Sequence, residues 1–153
     1  MKEFTLHVES YADIIDEVRP LLQLHSDEID AHLDVLVMEP DNDFYRLTEA
    51  SGRLHVFTIR HEGELIGYSA FIVMGNPHYK GTIFGVNDVL FIKKEHRRSQ
   101  AGAMLITFAE TILRDMHGAV VVTYHSKVGE CDITPFLNKF GYEREEYMLS
   151  KVV

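Results

Sequence analysis

Residues 83–118 read IFGVNDVLFIKKEHRRSQAGAMLITFAETILRDMHG, and a change of rhythm inside that stretch decides the fold. From Ile83 to Lys93 the apolar residues are dense enough for a long strand. From Ala101 onward, Met104, Leu105, Phe108, Ile112, Leu113 and Met116 recur every three or four residues, on one face of a helix, and Gly118 suits its C-cap. Between them lies a basic, glycine-containing turn. A helix N-terminus offers unpaired N–H groups and a partial positive charge; Gly102 lets backbone approach a ligand, and Arg97 and Arg98 add full charges. Lys93 and Lys94 extend the patch. The geometry suits a phosphate group, and a merely solvated basic connection is the alternative.

Downstream, AVVVTY (119–124) is a continuous apolar run, as in a strand buried on both faces. Residues 130–140 predict a short helix carrying Phe136, Leu137 and Phe140, and Gly141 introduces terminal strand material, YEREEYMLSKVV. Upstream, RLHVFTIR (53–60) and LIGYSAFIVM flank an HEGE turn and predict an antiparallel hairpin. GNPHYKGT (75–82) breaks the chain before the long strand. Near the start, Phe4, Leu6 and Val8 alternate as a first strand. A helix follows from Tyr11, with Ser10 as N-cap and a kink or end near Pro20. A second helical pattern covers Asp27 to Met38, with Ile29, Leu33, Leu36 and Val37 as its apolar positions, and stops before Pro40; a short third helix fits Phe44 to Glu49. The order describes a mixed-sheet α/β or α+β domain, expected to be single over residues 1–153.

Composition narrows the function. Apolar residues make up 46% and charged residues 25%, the balance of an ordinary globular protein. Carboxylates outnumber basic groups 24 to 15, for a formal charge of −9, which argues against a nucleic-acid partner and is compatible with a cationic one. No apolar run approaches the ~20 residues of a membrane span, and the N-terminus lacks a signal-peptide pattern. With Cys131 as the single cysteine, a reducing cytoplasm is the expected compartment. Cys131 has no readable His and acid arrangement around it, and His25 and His32 lack a third metal partner.

The turn resembles the signature of the GNAT superfamily of acetyl-CoA-dependent N-acetyltransferases: Arg or Gln, two residues, Gly, one residue, then Gly or Ala. Here the frame reads Arg97, Arg98, Ser99, Gln100, Ala101, Gly102, with Gln100 in the first glycine position. The resemblance extends to the preceding strand, VNDVLFI, and to PFLNKFGYERE, which is similar to the family's FYEKLGFKRE. It covers about residues 50–150 and implies a mostly antiparallel mixed sheet of about six to seven strands, flanked by helices, with splayed central parallel strands. It further implies an acetyl-CoA site. The backbone from Ser99 through Gln100, Ala101, Gly102 and Ala103 to Met104 would bind pyrophosphate beside Arg97 and Arg98, and the strand ending at Ile92 and Lys93 would pair with the pantetheine arm.

The reaction the resemblance implies is direct attack of a primary amine on the thioester with general-base assistance. Asp88 falls at a position the family commonly uses for the base. Strand alternation puts Asp88, Leu90 and Ile92 on one face; a structural carboxylate at a bulge, with Asn87 beside it, is the alternative. The family's usual tyrosine acid is Leu137 here, so Tyr124, ahead of His125, is the candidate proton donor. Acceptor specificity is expected from the N-terminal helices and from loops 39–52 and 75–82. There Asp27, Glu28, Asp30, Asp34, Glu39, Asp41 and Asp43 form either an exposed face or an attraction for a cationic amine, small molecule or protein. A homodimer is compatible with this reading. The other function class is a non-catalytic acyl-CoA-binding or protein-interaction module on the same fold.

Overall fold

A computed structural model describes residues 3–29 and 34–153. Five strands, β1 (Phe4–Glu9), β2 (Leu54–His61), β3 (Glu64–Asn76), β4 (Tyr79–Ile92) and β5 (Ala119–Thr123), form one sheet in the order β1-β2-β3-β4-β5. The first four pair antiparallel, and β4 and β5 are parallel. The β2–β3 turn uses Glu62 at φ 52° and Gly63 at φ 85°; two successive positive φ values give the turn twist that a two-residue hairpin requires.

Helices cover both faces. On one, α1 (Tyr11–Ile29) lays Tyr11, Ile14, Ile15, Val18 and Leu21 on Val56, Tyr68, Ala70 and Phe91, with α2 (Asn42–Ala50) beside it. On the other, α3 (Ala101–His117) buries Ala101, Leu105, Ala109 and Leu113 against Phe57, Ile59, Ile66, Phe71 and Ile92. The last helix, α4 (Thr134–Leu137), buries Leu137. Gly118, at φ 66°, ends α3 with its N–H donated to Arg114 and Leu113 carbonyls.

The mixed architecture with a parallel β4/β5 pair is the expected one, with several local corrections. The sheet has five strands among the described residues rather than six to seven, because residues 142–153 form no strand. Tyr142 is tied to Glu110 and Arg144 to Asp132 and Thr134, and the Glu143–Glu146 stretch has little to bury. As the last strand, β5 is not buried on both faces: Val120 is 70% exposed. α1 runs through Pro20 to Ile29, because burial of its apolar stripe outweighs the single hydrogen bond a proline removes. Residues 34–40 are not helical, so the second helix expected from Asp27 to Met38 does not form as read; Asp30, His32 and Leu33 lie outside the described residues. Ser10 does not cap α1 with its side chain. Its Oγ donates to Glu49 Oε2, and Glu49 Oε1 accepts the Tyr11 N–H at 2.7 Å, so α2 supplies the cap. The expected break at 75–82 is a tight β3–β4 turn in which Asn76 Oδ1 accepts the His78 N–H.

Candidate active site

β4 and β5 stay paired only from Ile83↔Ala119 to Val86↔Thr123. Beyond Val86, β4 runs on for six residues to Ile92, bonded only to β3, so a gap opens along its outer edge. In an antiparallel strand a residue's N–H and C=O point the same way and alternate between neighbours. The Lys93 N–H goes to Ile66 O of β3 at 2.8 Å. Ile92 and Leu90 therefore face the gap, and Lys93 does not. The Ile92 carbonyl is engaged by Arg97 Nε at 2.8 Å, and the Lys93 ammonium pairs with Glu64.

The mouth of the gap is set by a bulge. Opposite Ala70 and Phe71 the register skips from Val89 to Asn87, leaving Asp88 as the extra residue. The bulge resets the alternation, so Asp88 does not share a face with Leu90 and Ile92 as strand periodicity predicts. Leu90 and Ile92 pack toward α3, whereas Asp88 joins Val89 and Phe91 on the α1/α2 face. Asn87, 2% exposed, holds the distortion: its Nδ2 donates to Ser69 Oγ, Ala70 O and Val89 O, and Ser69 Oγ also donates to Val89 O. An otherwise unpaired stretch of backbone is thereby satisfied internally.

Asp88 is exposed rather than enclosed by apolar neighbours. Its Oδ2 accepts a 2.9 Å hydrogen bond from Tyr45 Oη of α2, and the Tyr45 ring stacks on Tyr11 at 5.0 Å. Burial and the adjacent Asp88 carboxylate push the Tyr45 phenol well above its usual range, so it stays a donor. Tyr68 lies nearby, 2% exposed, with a hydroxyl that finds no partner among the described residues. Burial first, then Tyr45 and Asp88, raise its pKa. Tyr45 was not foreseen; its only sequence signal is a place in a short helix far from the strand it serves.

Tyr124 lies across the sheet from Asp88. It packs edge-on against Phe71 at 5.3 Å and Tyr142 at 5.0 Å, on the α3 face. Its hydroxyl is buried and without a hydrogen-bond partner among the described residues; burial, then Glu110, drive the phenol pKa up. Asp88 and Tyr124 are thus not brought together on one surface but flank the splay from its two sides.

In the turn, Ser99 Oγ donates to His96 O and accepts the Ala101 N–H, and Met104 N–H bonds Gln100 O. Gln100 adopts αR geometry and makes no side-chain cap. Among the described residues the N–H groups of Arg98, Gln100, Gly102 and Ala103 have no acceptor, which is the donor set a pyrophosphate requires. Arg97 does not point freely into this cradle: its Nη2 pairs with Glu28 at 2.6 Å and its guanidinium lies over Phe91. Arg98 is exposed. A Cβ on Gly102 would meet Phe136 Cζ at 3.2 Å, so the glycine also makes room for α4. Cys131 Sγ donates to the Glu28 carbonyl at 3.2 Å.

The sequence model of the acetyltransferase (GNAT) family matches residues 19–142. Solved structures with the same fold include glucosamine-6-phosphate N-acetyltransferase from Arabidopsis thaliana (TM-score 0.73, 15% identity, 99% of each chain). An aminoglycoside acetyltransferase from an uncultured soil metagenomic sample superposes at TM-score 0.75 with 18% identity over 99% of each chain. Ribosomal-protein-alanine N-acetyltransferase from Brucella melitensis biovar Abortus 2308 gives 0.70 and 14%, over 99% of this chain and 97% of that one. At these identities the likeness concerns the fold. No curated protein matches the sequence. Among the described residues no helix is long and apolar enough to cross a membrane.

Proposed function

The chain belongs to the acetyltransferase (GNAT) family, and from that premise we propose that it transfers an acetyl group from acetyl-CoA to a primary amine by direct attack. The observation that carries this reading is the Asp88 bulge: it sets a carboxylate, held by Tyr45, at the point where β4 and β5 part.

Acetyl-CoA, when bound, supplies a thioester carbon open to nucleophilic attack. The free N–H groups from Arg98 to Ala103 hold its pyrophosphate, with the α3 N-terminus and the Arg98 charge opposing the phosphates. The gap-facing backbone of Leu90 and Ile92 receives the pantetheine arm. From the α1/α2 face, Asp88 takes the proton that the amine nitrogen loses as the N–C bond forms and the C–S bond breaks. From the α3 face, the Tyr124 hydroxyl, kept protonated by its burial, donates a hydrogen bond toward the departing thiolate. A thiol with an ordinary pKa near 8.5 needs only that much help at neutral pH.

The test is CoA release with a panel of primary amines, together with acetyl-CoA binding measured by thermal shift. Turnover on at least one amine, reduced about 100-fold or more by Asp88→Asn and less strongly by Tyr124→Phe, is the expected result. Acetyl-CoA binding without turnover on any amine identifies a non-catalytic module, and failure to bind acetyl-CoA removes both readings.

A further inference from the structure

One end of the sheet, on the face that carries Asp88, is only partly covered. A Cβ on Gly85 would lie 3.2 Å from Leu113 of α3, so Gly85 faces α3 and its neighbours Phe84 and Val86 face the opposite side, in line with Asp88. Among the described residues this end is only partly covered, with Phe84 and Val86 half-buried. Met74, opposite Phe84 in the register, is 42% exposed, and Tyr79, stacked on Phe84 at 6.3 Å and 14°, is 60% exposed. Phe84, Val86 and Tyr79 line the same broad, open cavity as Asp88, Tyr45, Met38 and Pro40.

We propose that this shelf binds the apolar body of the acceptor, and that the substrate is a primary amine on an alkyl or arylalkyl chain rather than on a polyhydroxylated or polycationic one. The inference rests on the amine-acetylation reading above and adds the substrate class. One observation ties the shelf to that role: it ends at an exposed carboxylate where the acyl-donor gap begins. The wall side chains Phe84 and Val86 offer a sugar hydroxyl no partner, so a polyol hydroxyl buried against them would lose its water without replacement. An aromatic ring instead gains contact area and stacking. The strand rise makes Phe84 to Asp88 about 13 Å, which suits a ring separated from its nitrogen by several methylenes.

The experiment compares ethylamine, n-hexylamine, 2-phenylethylamine and 4-phenylbutylamine with spermidine, kanamycin and glucosamine 6-phosphate. Acetylation is followed by CoA release, and binding of each amine to the protein alone by NMR line broadening. The expected result is a KM that falls about threefold to fourfold per added methylene, with 4-phenylbutylamine best. Tyr79→Ala and Phe84→Leu should flatten the series, whereas Met116→Ala, exposed on α3, should leave it intact. A flat series, or preference for kanamycin, spermidine or glucosamine 6-phosphate, overturns the shelf while leaving the acetyltransferase reading in place. If no amine is acetylated, that reading fails. The shelf then stands or falls on whether 4-phenylbutylamine binds the chain and Tyr79→Ala weakens it about tenfold.

Discussion

Replacing Asn87 tests whether the bulge is what puts Asp88 in place. The Asn87 amide has two hydrogens, directed at Val89 O at 2.9 Å, Ser69 Oγ at 3.1 Å and Ala70 O at 3.2 Å. Asn87→Ala removes both. A net ~1 kcal/mol per hydrogen bond gives ~2 kcal/mol, and the carbonyl of Ala70, left facing a small void, brings the total to about 2–3 kcal/mol. Val89 O keeps Ser69 Oγ as donor, so the strand should distort locally rather than come apart. With a urea m-value of about 2 kcal/mol/M, the midpoint falls by about 1 M. Asn87→Asp should be worse, about 3–5 kcal/mol, because a buried carboxylate would then face two carbonyls. Displacement of Asp88 by ~1 Å should also cost about 100-fold in kcat/KM. Urea melts followed by far-UV circular dichroism, with CoA release on the best amine, provide both readouts. If Asn87→Ala shifts the midpoint by less than about 0.2 M and leaves kcat/KM unchanged, the backbone ladder alone holds the bulge and the reasoning is wrong.

Gly67→Ala places a Cβ 2.4 Å from Ile92 Cδ1 and 2.8 Å from the backbone oxygen of Phe91. Because a β4 carbonyl cannot step aside, a loss of about 3 kcal/mol is expected by calorimetry, or about 6–12 °C in Tm. Gly102→Ala meets only the tip of the Phe136 ring, so stability should change by less than about 1 kcal/mol. Its acetyl-CoA affinity, read by titration calorimetry, should fall modestly, because the methyl pressed on Phe136 shifts the α3 N-terminus whose N–H groups face the pyrophosphate. His55 is held below its ordinary pKa, first by burial and then by His117, whose ring lies 3.8 Å away. The unfolded chain therefore takes up a proton below pH ~6.5 that the native chain resists, and stability falls as pH drops from about 6.5 toward the lower folded pKa. His55→Gln should reduce that slope in urea midpoints measured from pH 7.5 to pH 5.

What the sequence determined by itself is whatever depends on neighbours along the chain. The period of α3, the Gly118 stop and the hairpin turn at Glu62 and Gly63 follow from local spacing and backbone freedom, as does the basic turn from Arg97 to Ala103. The helical rhythm from Tyr11 to Leu22 was legible, but not its passage through Pro20 to Ile29, since burial against β2 and β3 decides that. Asp88 could be placed on β4, yet periodicity assigned it the wrong face. A bulge is a mismatch between two strands, and its cause lies in Ser69 and Ala70 of β3, about 18 residues upstream of Asn87. For the same reason only the tertiary structure supplied Tyr45, 43 residues from the carboxylate it holds, and Glu49 as the cap of α1. It also turned Arg97 toward Glu28 and left Tyr79 exposed over Phe84. Local rules set the rhythm of each segment; whether it becomes strand or helix, as at 34–40 and 142–153, and which side chains meet across it are settled by packing, where contacts between distant residues compete for the same space.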